Sequence, residues 1–215
     1  MGLTLLRNNY IEYDNEKEIS SLFAKWTKDI NSCRDFRVEA IAYYCGEVHK
    51  KINGFLRGTA EIGPFSNYLD TIQAMLSVAP LLPYNIILYR ALPLYVIKTV
   101  LSEMDMYGSY LEKGFLSTSL NLNGIMNFVK SINEIVFEDI EYQVLKLYIP
   151  QGTPALYIED IEGSGMGREE LELILPRDAT IKKLRSPYWE ERFGFWIHEC
   201  SLEYGGLHRA LDKTI

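Results

Sequence analysis

Arg168-Glu-Glu-Leu-Glu-Leu-Ile-Leu-Pro-Arg177 is the stretch on which the reading of this 215-residue chain turns. It follows a glycine-rich run, Gly163-Ser-Gly-Met-Gly167, and reads as a strand carrying two carboxylates, Glu170 and Glu172. Side chains alternate along a strand, so residues two apart share a face at a spacing of roughly 6–7 Å. Leu173-Ile-Leu175 has no polar alternation, which suits a strand covered on both sides. Two carboxylates on one face repel, and unless something cationic lies between them one should be protonated. The pair fits either a site for a cationic partner or transition state, or an exposed strand end with two solvated acids.

Hydrophobic content of 47% and a mean hydropathy of −0.08 belong to an ordinary globular chain with one substantial core. The formal charge of −7 and the lack of a basic run argue against nucleic acid or an anionic membrane as the main partner. Cys33, Cys45 and Cys200 are odd in number and widely spaced, without C-x-x-C, so neither a disulfide framework nor a metal site is expected. No segment reaches membrane-spanning length, and from the residues at the start no export signal is expected. The expectation is a protein that acts in a cytosol, either the producer's own or that of a host after delivery by a separate component.

Apolar spacing predicts a helix over 15–31 (Ile19, Leu22, Phe23, Trp26, Ile30), a second over 36–55 and a third over 65–78 that stops before Pro80. After Pro83 the pattern changes to strands at 85–90, 114–119, 144–149, 155–158, 171–175, 180–184 and 193–202, with helices at 95–104 and 123–132. Helices first and strands later favour an α+β fold. The expectation is one domain over 1–215, its helical part (about 1–80) packed on a β-rich core (about 81–215) of two mostly antiparallel sheets.

Three short pieces stand in order: Tyr89-Arg90 at a strand end, Ser117-Thr118-Ser119 on a second strand, and Glu170-x-Glu172 on a third. Phe115-Leu leads into the serine run, Leu-Pro-Arg177 trails the glutamates, and Ile52-Asn53-Gly-Phe-Leu-Arg57 lies upstream. Together these resemble the arginine–serine–glutamate class of mono-ADP-ribosyltransferases, the group with clostridial binary-toxin enzymatic components and vegetative insecticidal toxins. The resemblance spans about 44–184. It departs in two places: the second of two helix aromatics five apart is His49 after Tyr44, and the loop before Glu170 offers Ser164, Met166 and Arg168 rather than an exposed aromatic.

The resemblance implies NAD as substrate and an ADP-ribose transfer. Cleaving the nicotinamide–ribose bond makes an oxocarbenium-like sugar that a fixed carboxylate stabilises, the work assigned to Glu172. Ser117 would hold Glu172 in register. Arg90 has the planar fork that suits a diphosphate, with Arg57 a second candidate at that end. Tyr44, Asn53, Tyr89, Thr118 and Ser119 fall on the cofactor side by the same resemblance. Glu170 would orient an incoming guanidinium and take its proton; Glu at that place goes with arginine acceptors. An NAD glycohydrolase without protein acceptor, and a non-catalytic adaptor of the same fold, are the alternatives. The glycine-rich run fits an acceptor-recognition loop or a plain hairpin turn. It is not a Rossmann fingerprint, since its spacing is wrong and it leads into a strand.

Overall fold

A computed structural model describes residues 9–12, 21, 23, 28, 36–136, 140–158 and 170–205. The helix expected over 15–31 lies mostly outside the described residues. Of it, Ser21, Phe23 and Lys28 are helical, and Phe23 is buried in the core. The glycine run 163–167 also lies outside them.

The helix expected over 36–55 is interrupted. α1 (Phe36–Tyr43) and α2 (His49–Leu56) are joined by a wide π-type turn, Tyr44–Val48, in which Gly46 leaves helical geometry at φ −85°, ψ −136°. Glycine has no side chain to oppose that departure, and such turns inside helices recur at functional sites. α3 (Ser66–Ser77) buries Leu69, Ile72, Met75 and Leu76, the face that its spacing predicts.

β1 (Ile86–Pro93) is followed by α4 (Leu94–Tyr107), which ends at Gly108 in left-handed geometry (φ 76°), its N–H returning to the Met104 carbonyl. Then come β2 (Tyr110–Glu112), β3 (Leu116–Ser119) and α5 (Leu122–Val136). Asn121 caps α5 by accepting from the Gly124 N–H at 3.1 Å. β4 (Tyr142–Ile149), β5 (Leu156–Tyr157), β6 (Glu172–Leu175), β7 (Ala179–Lys183), β8 (Tyr188–Glu190) and β9 (Phe195–Tyr204) complete the order. β2 and β8, three residues each, are too short to show alternation and escape the sequence reading.

The α+β architecture is as expected. The described strands form one hydrogen-bonded path, β2-β7-β9-β4-β1-β3-β6-β5, with β8 on β9, rather than two separate sheets. Among these strands every pairing is antiparallel except β4 with β9, and Ile11 adds an isolated parallel bridge to Ile86. The two blocks meet at one residue pair, Tyr89 with Ser119, whereas β1 pairs β4 along its whole length. That narrow junction is where the candidate site lies.

Alternation divides the core. Leu88 and Leu92 of β1, with Leu173 and Leu175 of β6, join Ile97, Val100 and Met104 of α4. Ile174 faces the other way, against Ile41, Ile52 and Ile72 of the helical part. Ile87 and Tyr89 pack with Val144, Tyr148 and Ile125 of α5. Burying these side chains contributes about 1.5–3 kcal/mol each, offset by chain entropy. Among the described residues no helix is long and apolar enough to cross a membrane.

Candidate active site

Glu172 opens β6 and has the parity of Ile174, so its carboxylate lies on the side covered by the helical part. β3 runs antiparallel beside it, with Ser119 opposite Glu172 and Ser117 opposite Ile174. Ser117 Oγ donates to Glu172 Oε1. From the π-type turn, Cys45 Sγ points at Glu172 Oε2, 3.7 Å away. The carboxylate is therefore held from the sheet and met from the helices, and it remains half-buried.

Arg90 reaches across from β1. Its Nη1 donates to the Ser117 carbonyl at 2.9 Å, and its Nη2 lies 3.9 Å from Glu112 Oε2. Glu112, at the end of β2, is buried and accepts Nε and Nη2 of Arg57 in a two-pronged pair, 2.8 Å each. The Gly114 N–H supplies a third donor at 2.8 Å. Burial draws the Arg90 pKa down. For Arg57 burial is the largest single influence and also acts downward, but the hydrogen bonds to Glu112 and that carboxylate's charge together outweigh it and the pKa rises. Both stay cationic, so two positive charges against one negative leave this corner net positive beside Glu172.

Tyr44 and Asn53 line the helical wall. The Asn53 amide donates to Tyr44 Oη at 3.0 Å and accepts from the Phe115 N–H at 2.9 Å. A side chain on Gly114 would strike that amide, its Cβ lying 2.8 Å from Asn53 Oδ1. Asn53 thus fastens α2 to the start of β3. Burial raises the Tyr44 pKa, keeping its hydroxyl protonated.

Arg90, Ser117, Glu172, Arg57, Tyr44 and Asn53 gather around the β1–β3–β6 junction. The side chains of Tyr89 and Thr118 do not, although the Tyr89 backbone forms the junction pair with Ser119. Tyr89 packs on the α5 side and its hydroxyl donates to Glu12, as a residue next to Arg90 in a strand must. Thr118 is buried and donates to the Leu173 carbonyl at 2.8 Å. Ser119 Oγ lies 2.6 Å from the Glu170 carbonyl.

The two carboxylates are not an ordinary strand pair. Leu171 between them has φ 52°, so β6 begins only at Glu172 and the alternation assumed for Glu170 fails. Glu112 and Cys45 also escaped the sequence reading. Glu112 lies 55 residues from Arg57 with no periodic relation to it; the available signal was two arginines assigned to one end of the site, whose mutual repulsion calls for an acid between them.

The same fold occurs in ADP-ribosyltransferases of known structure. C3stau2 from S. aureus, solved with NAD, aligns with a TM-score of 0.60 at 18% identity, covering 91% of this chain and 99% of that one. BECa, the ADP-ribosylating toxin of a C. perfringens binary enterotoxin, solved with NADH, gives 0.64 at 18%, covering 90% of this chain and 50% of that one. Vis from Vibrio splendidus, in its complex with agmatine, gives 0.55 at 16%, covering 90% and 88%. The chain belongs to the ADP-ribosyltransferase exoenzyme family, whose model matches residues 20–186. No curated protein matches it in sequence.

Proposed function

We propose that the chain, acting as one domain, transfers ADP-ribose from NAD to an arginine side chain of a target protein and hydrolyses NAD slowly when no acceptor is present. The observation that carries this is the meeting of three strands. Ser117 of β3 donates to Glu172 of β6, and its own carbonyl holds Arg90 of β1. A carboxylate fixed by a hydroxyl, next to a net positive corner, suits a dinucleotide whose ribose becomes cationic while its diphosphate stays anionic.

In this reading Arg90 holds the diphosphate, and Arg57 adds positive charge behind it from its place on Glu112. The C1′–nitrogen bond of the nicotinamide ribose breaks, and nicotinamide leaves neutral with the bonding pair. Glu172, oriented by Ser117, stabilises the positive charge left on the sugar. A guanidinium nitrogen then bonds to C1′ and gives its proton to Glu170. Glu170, rather than an amide, at this place supports a cationic acceptor, as does the agmatine bound by Vis, since agmatine carries a guanidinium on a short alkyl chain.

The test is labelled NAD incubated with agmatine, polyarginine or a host lysate, with free nicotinamide and labelled adduct measured together. Glu172→Gln should abolish both, and Glu170→Gln should keep nicotinamide release while losing the adduct. Nicotinamide release with no guanidinium adduct would make the protein a glycohydrolase. No NAD consumption at all would make it an adaptor.

A further inference from the structure

We propose that Ser119 is a positioning residue for the acceptor side of the reaction, not part of the dinucleotide grip: with Gly124 and the left-handed turn at Leu171, it aims Glu170 independently of Glu172. This rests on the reading of Glu170 as the carboxylate that receives the guanidinium.

In a regular strand, Glu170 would follow wherever Glu172 pointed. Leu171 breaks that linkage, because φ 52° is a left-handed conformation that leucine seldom adopts and that persists only where neighbours enforce it. Two hydrogen bonds enforce it. Leu120 N–H donates to the Leu171 carbonyl at 3.1 Å. Ser119 Oγ donates to the Glu170 carbonyl at 2.6 Å. The Asn121 carbonyl is also near that hydroxyl, at 3.1 Å, but a serine has one proton to give and Glu170 is the closer acceptor.

The third element is a close approach. A Cβ built on Gly124, in the first turn of α5, would lie 2.2 Å from Ser119 Oγ and 2.3 Å from the Glu170 carbonyl oxygen. Only glycine lets the helix end roof this carbonyl. The two serines of the run therefore have separate charges. Ser117 holds the side chain of Glu172, and Ser119 holds the backbone of Glu170.

The experiment compares Ser119→Ala, Gly124→Ala and Ser117→Ala, each checked for folding by thermal unfolding. Nicotinamide release is measured without acceptor, and adduct formation with agmatine. Ser119→Ala should lower the ratio of adduct formation to acceptor-free release about tenfold, as expected when one positioning contact is lost. Gly124→Ala, which displaces the same carbonyl by bulk, should reproduce that split and serves if Ser119→Ala does not fold. Ser117→Ala should lower both rates together. Equal loss of both activities in Ser119→Ala, or a rise in KM for NAD, would overturn the proposal.

Amide hydrogen exchange gives a readout free of any acceptor. Exchange at Leu120, whose N–H donates to the Leu171 carbonyl, should quicken in Ser119→Ala while Leu173–Leu175 stay protected, and unchanged exchange there would overturn the proposal. If wild type forms no adduct, the arginine reading fails on that result, and the exchange data still decide the role of Ser119.

Discussion

Glu112→Ala is the most informative single perturbation. The side chain is 5% exposed and accepts three donors at 2.8 Å, two from Arg57 and one from the Gly114 N–H, with Arg90 Nη2 at 3.9 Å. Removing it leaves two guanidinium charges facing each other without an anion. Breaking a buried pair by deleting one partner costs about 3–5 kcal/mol. Arg57, however, is 34% exposed and water can re-solvate it, so about 2–3 kcal/mol is expected here. At about 2–4 °C per kcal/mol for a chain of this size, Tm should fall by roughly 5–10 °C. Glu112→Gln keeps one acceptor oxygen and should cost about half as much. Calorimetry or urea unfolding at unchanged slope measures the loss, and KM for NAD should rise about tenfold with little change in kcat because Arg90 loses its setting. A Glu112→Ala protein that melts within about 1 °C of wild type would refute the view that this carboxylate organises both arginines.

Three further outcomes are expected. Glu172→Gln should cut nicotinamide release by about a hundredfold or more if, as proposed, its carboxylate stabilises the ribosyl cation; steady-state release by chromatography is the measure. His198, which meets Gln143 Oε1 through Nε2 at 2.7 Å, has its pKa drawn down by burial, with Lys183 adding to the effect. The folded state therefore disfavours the imidazolium. The stability this residue contributes is present above the unfolded value of about 6.5 and is lost as pH falls below it through the folded value, so His198→Gln should flatten the decline in urea midpoint between about pH 7 and 5. Burial pushes the Cys200 thiol up to about 12, so alkylation followed by peptide mass spectrometry should label Cys200 only under unfolding conditions. Labelling at the native rate of an exposed thiol would contradict its burial.

Much of the fold was legible because burial writes a period into the chain. The apolar face of α3 and the unalternating Leu173-Ile174-Leu175 follow directly from which positions meet the core. What was not legible had a local geometric cause. Gly46 and Leu171 each take a backbone conformation that residue type alone does not announce, and they turned an expected continuous helix and an expected strand pair into a wide turn and a kink. β2 and β8 are too short to carry a pattern, yet β2 brings in Glu112.

Residue pattern alone gave the order of the longer elements, the α+β class and the chemistry available: an arginine, a serine and two glutamates on separate segments. Which of them meet is set by folding. Tyr89 and Arg90 are adjacent in the chain, but a strand sends neighbours to opposite faces, so one goes to Glu12 and the other to Ser117 and Glu112. Contacts such as Arg57 with Glu112 join segments 55 residues apart. Their partners are chosen by sheet register and packing, which no local pattern encodes.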